Sequence, residues 1–105
     1  MTFEVITTRR AQADIDNFAE YAMAYSERFS REQFTHLNHI LTVVLADKPG
    51  TWNHFFITGA PYHGYLFRVG HRWAYWIVYK IDEDAKRVEV LRFWNASKKP
   101  SAFEI

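Results

Sequence analysis

Two strand-length runs, Tyr75-Trp-Ile-Val-Tyr-Lys-Ile-Asp82 and Val88-Glu-Val-Leu-Arg-Phe-Trp94, flank the polar stretch Asp82-Glu-Asp-Ala85. Aromatic and β-branched residues suit a pleated, half-covered surface, and the acidic stretch lets the chain reverse. The pair therefore predicts a β-hairpin. Side chains alternate along a strand, so Trp73, Tyr75, Ile77, Tyr79 and Ile81 share one face and Ala74, Trp76 and Val78 the other. Both faces are largely apolar. Such a strand belongs in the centre of a sheet, covered by helices on one side and by a partner or the tail on the other. A short polar tail, Asn95-Ala-Ser-Lys-Lys-Pro100, follows the second run.

Upstream the periodicity changes. Phe3–Thr7 reads as a short first strand, and Thr8 as the N-cap of a helix starting near Arg9. Ala11, Ile15, Phe18, Ala22 and Tyr25 recur at steps of four and three, one face of an amphipathic helix. Ser26 to Ser30 interrupts the pattern, and Ser30 with Gln33 has capping-box spacing for a second helix. Phe34, Leu37, Leu41 and Val44 form its stripe, widened by Ile40 and Leu45, until Asp47-Lys-Pro-Gly50 ends it. Trp52–Thr58 then reads as a strand, Gly59-Ala-Pro61 as a turn and Tyr62–Val69 as a strand. Gly70-His71 is a tight connection into the strand Arg72–Ile81. The expected architecture is α+β, ordered β-α-α-β-β-β-β, with a helical hairpin packed on a mainly antiparallel sheet.

A length of 105 residues suits one domain over 1–105. A net charge of +1 creates no general field for polyanions, so nucleic-acid contact would need a local cluster. The absence of cysteine excludes disulfides and thiolate metal sites and fits the cytoplasm. The start, Met1-Thr-Phe-Glu-Val-Ile, has no signal-peptide character, and no run approaches the length of a membrane span. No pattern calls for a cofactor.

The ordered motifs resemble those of the RelE/ParE superfamily of toxins from type II toxin–antitoxin systems. The first-helix pattern is Ala11-x-x-Asp14-Ile15-x-x-Phe18-x-x-Tyr21, and Asp47-Lys-Pro49-Gly50 resembles the helix-ending proline. Gly64-Tyr65 leading to Arg68, then Ile77-Val-Tyr79-x-Ile81-Asp82 and Val88-Glu-Val-Leu-Arg92, resemble the sheet. The resemblance implies a toxin neutralised by a cognate antitoxin protein. RelE-like members cut messenger RNA on the ribosome with basic sheet residues and a C-terminal arginine and aromatic pair, whereas ParE-like members poison DNA gyrase. The sheet arginine preceding the Ile-Val-Tyr motif in RelE-like members falls on Trp76. The histidine and paired arginines of many ParE-like tails read Asn95, Ser97 and Lys98, and Phe103 stands where a tyrosine would act. Trp76, Asn95 and Phe103 depart from the nuclease pattern, which leans toward the gyrase branch. The alternatives are a ribosome-dependent endoribonuclease and a non-toxic binding domain that retains the fold.

RNA cleavage through a 2′-hydroxyl needs a general base, a general acid and a cation beside the phosphate. The catalytic candidates are His63, Arg68, His71, Arg72, Lys98 and Lys99; solvated polar residues are the plainer reading of the turn pair His71-Arg72 and of the tail lysines. Arg68 reads as a phosphate or partner contact, or else as the cross-strand mate of Glu89. Arg92 reads first as structural and otherwise as a partner contact. Trp76, Trp94 and Lys98 complete the expected partner-binding set with Arg68 and Arg92. Trp52, Phe55, Phe56, Phe67, Trp73, Trp76 and Trp94 could stack on bases, although most must be core. His36 and His39 lie at i, i+3 without a third ligand, and His54 and His63 can meet across a hairpin; no metal site is assigned.

Overall fold

Thr8 converts the first strand into the first helix. In the computed structural model, which describes residues 2–52, 54–57, 60–70 and 73–97 (backbone alone for 54–57, 60 and 61), β1 spans Glu4–Thr7 and α1 spans Arg9–Tyr25. The Thr8 hydroxyl accepts the Ala11 N–H at 3.3 Å, satisfying a donor that the first helical turn leaves open. Ala11, Ile15, Phe18 and Ala22 are buried, as their spacing requires. Tyr25, the last residue of that stripe, is instead exposed and packs on Phe29, ring centres 4.9 Å apart.

The second helix begins earlier than the Ser30–Gln33 spacing suggests. Ser26 is extended (φ −169°, ψ 150°), and its hydroxyl accepts the Phe29 N–H at 2.9 Å, so α2 spans Glu27–His39. Once Ser26 has capped the helix, Ser30 lies one turn inside it and is buried. Ser26→Ala should therefore cost about 1 kcal/mol, and Ser30→Ala less; paired thermal melts would read the order.

Past His39 the chain makes a π-helical turn, Ile40–Val44, and one closing turn, Leu45–Asp47. The Leu45 N–H reaches back to the Ile40 carbonyl. The extra residue per turn keeps Leu45 and Ala46 buried with Leu37 and Ile40, while Val43 turns outward. Pro49–Thr51 forms a 3₁₀ turn, and the buried Tyr79 hydroxyl donates to the Pro49 carbonyl at 2.6 Å. Burial pushes that hydroxyl above the ordinary tyrosine pKa, which keeps it a proton donor.

The remaining strands are β2 His54–Ile57, β3 Ala60–Val69, β4 Trp73–Asp82 and β5 Arg87–Asn95. They form one five-stranded sheet in the order β1-β5-β4-β3-β2, antiparallel except that β1 runs parallel to β5. Ala60 and Pro61, expected in a turn, belong to β3. Pro61 is tolerated because β3 pairs with β4 from His63 onward, so no described strand on that side needs its missing N–H. Gly70 has φ +63°, a conformation that glycine adopts without the strain a Cβ would bring. The β4–β5 hairpin turns where expected. The Asp82 carboxylate accepts the Ala85 N–H at 3.0 Å, and Lys86 is left-handed at φ 52°. The register then shifts by one: Tyr79 faces Val90 but Val78 faces Arg92, leaving Leu91 as a bulge.

The main core lies between the helices and one sheet face, where Ile15, Phe18, Leu37, Ile40 and Leu45 meet Phe67, Ile77, Tyr79, Val88, Val90 and Phe93. The opposite face has a second, smaller cluster in which Val78 and Trp94 are buried, with Tyr62 and Trp76 packed against them.

Candidate functional site

The sheet's unusual chemistry gathers at one end, where β3 finishes, β4 starts and β5 runs out. β1 is short and pairs with β5 only as far as Val90, so the outer edge of β5 beyond it needs other partners. Helix α1 crosses there. Thr8 donates its N–H to the Val90 carbonyl at 3.0 Å and its hydroxyl to the Leu91 carbonyl at 3.3 Å. One turn and a half further along, Asp14 accepts the backbone N–H of Phe93 at 3.1 Å. The same carboxylate receives both arms of Arg92, Nε at 2.7 Å and Nη2 at 3.1 Å. Arg92 also lies over the Trp94 ring, 5.0 Å from its centre. The helix thereby closes an edge that would otherwise present unpaired backbone donors.

Beside this pair, α1 and the strand ends enclose a cleft of about 320 Å³. Its floor is the stacked pair Tyr75 and Phe93, centres 4.5 Å apart and planes 10° from parallel, with Phe18 behind. Its mouth is Tyr21 against Trp73, edge to face at 5.5 Å, with exposures of 47% and 38%. Asn17 and Asn95 line it as well. The Asn95 amide oxygen accepts from the Ser97 N–H at 2.9 Å and from the Ser97 hydroxyl at 2.7 Å, which leaves the amide N–H groups for other acceptors. Burial, and secondarily the neighbouring Tyr21, raise the Tyr75 hydroxyl above its ordinary pKa, so the cleft presents a neutral phenol.

The sheet separates the candidates that the sequence suggested. His63 stands opposite Tyr79 and stacks on it at 5.5 Å, on the helix side, with Nδ1 3.3 Å from the Trp52 carbonyl. Arg68 alternates with the buried Phe67 and Val69 and so projects from the other face, opposite Ala74. It is exposed and makes no ion pair among the described residues. Glu89, the partner suggested for Arg68, pairs with Lys80 at 3.5 Å instead, because Lys80 is its direct cross-strand neighbour. Trp76 stands between Leu66 and Trp94 in one cross-strand row. Trp94 is only 6% exposed and Arg92 only 8%, which leaves each little surface for a partner. His54 and His63 are register partners, as the hairpin reading required. His36 packs against the Phe67 ring at 5.0 Å. His71, Arg72, Lys98, Lys99 and Phe103 lie outside the described residues.

Three residues of this region carried no functional reading in the sequence. Asp14 could have been noticed as a carboxylate bordering the apolar stripe of Ala11, Ile15 and Phe18. Tyr21, like Asp14, entered only as a position of the first-helix motif, and Asn17, one turn from Asp14, gave no signal beyond helical spacing.

The family model for the ParE toxin of the type II toxin–antitoxin system parDE matches residues 5–100. No curated protein and no solved structure is a significant match to the chain.

Proposed function

This chain belongs to the ParE toxin family of type II toxin–antitoxin systems, and on that premise we propose that it arrests growth by inhibiting DNA gyrase and is silenced by a cognate antitoxin. The observation that carries the choice of target is the division of its candidate catalytic groups by the sheet. Cleavage at a phosphate requires base, acid and cation within reach of the same atoms. Among the described candidates, His63 packs on the helix side and Arg68 projects from the opposite face. Trp76 fills the position at which the resemblance would put a basic residue of a nuclease, and it packs against the Val78–Trp94 cluster. Both facts support a toxin that acts by binding. Gyrase and antitoxin place its work in the cytoplasm; among the described residues no helix is long and apolar enough to cross a membrane.

Arg68 suits an acidic group on a partner, since an exposed guanidinium without an ion-pair mate among the described residues can form a bidentate pair with a carboxylate. We assign it to the antitoxin or target surface, with the tail lysine Lys98 as a second contact.

Adding purified protein to a gyrase supercoiling reaction, and separately to a translation extract carrying a reporter messenger RNA, tests the target. Supercoiling should fail while the transcript stays intact. Ribosome-dependent cleavage that disappears in Arg68→Ala would overturn the proposal in favour of the endoribonuclease. Silence in both assays, with unimpaired growth on expression of folded protein, would leave a binding domain. Expression alone should stop growth, and co-expression with the product of a short adjoining reading frame should restore it.

A further inference from the structure

We propose that the cleft between α1 and the strand ends is a binding site for an adenine base. Among the described lining residues the walls are neutral where a ligand would sit, because the one carboxylate, Asp14, and the one guanidinium, Arg92, pair with each other. A phosphate or a charged side chain would find no counter-charge among the described lining residues. A flat heterocycle would find aromatic surface, since Trp73 and Tyr21 offer exposed rings at the mouth and Tyr75 lies beneath them. Bases lacking a Watson–Crick partner are recognised by stacking on aromatic side chains combined with hydrogen bonds to their edges.

The edge readers are also in place. Asn17 is exposed on α1, and its amide makes no hydrogen bond among the described residues, so it retains a donor and an acceptor side by side. That is the pattern complementary to the amino group and ring nitrogen of adenine. Asn95 adds a donor alone, because its oxygen is held by Ser97. A volume of about 320 Å³ is at the lower end of the range for small-ligand pockets and suits one base better than a folded peptide segment. The cleft lies on the helix side of the sheet, whereas Arg68 lies on the other, so this site is separate from the surface assigned above to the antitoxin or target.

Titrating the full chain with adenosine, followed by calorimetry and tryptophan fluorescence, tests this. Saturable binding is expected. Trp73→Leu should weaken it about tenfold, the order of a lost stacking contact, and Asn17→Ala, on an exposed helix face, should weaken it without changing the melting temperature. A single-stranded adenylate tetranucleotide identifies the source. Affinity equal to that of adenosine means a free nucleoside is the ligand, and much tighter binding means the base of a strand is. Absence of binding for both probes at millimolar concentration would overturn the site. So would binding that neither substitution alters, and uridine binding as tightly as adenosine would overturn the assignment to adenine.

Discussion

Asp14→Ala is expected to be among the most destabilising single substitutions on the surface of this fold, costing roughly 3 kcal/mol. The carboxylate serves three donors at once: Arg92 Nε, Arg92 Nη2 and the Phe93 N–H. The Arg92 side chain is 10% exposed and that of Asp14 17%, so water can replace little of what is lost. Removing the acid takes the bidentate acceptor from a poorly solvated guanidinium and the carboxylate from the Phe93 N–H. Arg92→Met should cost less, because Asp14 then keeps the Phe93 N–H and the methionine covers similar apolar surface. If the ion pair is the cause, the double variant will be less damaged than the two single losses added together, with a coupling on the order of 1–3 kcal/mol. Urea denaturation of the four proteins measures this, and strict additivity would mean the pair is incidental. The freed edge of β5 has a second consequence. An unpaired strand edge is a template for association, so Asp14→Ala should also aggregate sooner than a core variant of equal stability.

That pair shows where the sequence stopped being informative. Thr8 as a cap, the stripe from Ala11 to Ala22 and the two faces of β4 could be read directly, because caps, helical spacing and strand alternation are local properties. The Asp14–Arg92 contact joins residues 78 positions apart, and no local periodicity encodes it. Two further departures arise from insertions that apolar runs conceal. Ile40, Leu41, Val43, Val44 and Leu45 are so uniformly apolar that one extra residue in a π turn leaves the pattern intact. Val90 and Leu91 are likewise adjacent and apolar, which masks the bulge that places Arg92 beside Val78. Ser30 with Gln33 obeyed the capping-box spacing, yet Ser26 reached the open N–H groups first. The cleft was legible only in pieces. Trp73 could be named as a stacking ring, but only the register of β4 with β5 and the pitch of α1 bring it to Tyr21 and Asn95.

Phe18→Ala should rival the loss of Asp14, with a cost of roughly 3–5 kcal/mol. Phe18 is 3% exposed and is the ring on which the others converge, with Phe34 at 5.7 Å, Phe67 at 6.4 Å, Tyr75 at 5.1 Å and Phe93 at 5.4 Å. It therefore ties α1 to α2 and to three strands. Truncation removes its burial and leaves a void walled by four rings, stiff groups that rearrange less readily than aliphatic chains. Phe18→Leu, which keeps most of the volume, should lose far less, and Tyr25→Ala at the exposed end of the same helix should change stability by about 0.5 kcal/mol or less. Domains of this kind carry about 5–15 kcal/mol in total, so the alanine variant should still fold at 25 °C but with a markedly lower denaturation midpoint. The same ring backs the floor of the cleft. If α1 is held through Phe18, the folded fraction of the variant should also lose adenosine binding, because Asn17 and Tyr21 depend on the helix position that this ring sets. A midpoint close to that of the unsubstituted protein would mean that the Asp14 contact alone positions the helix.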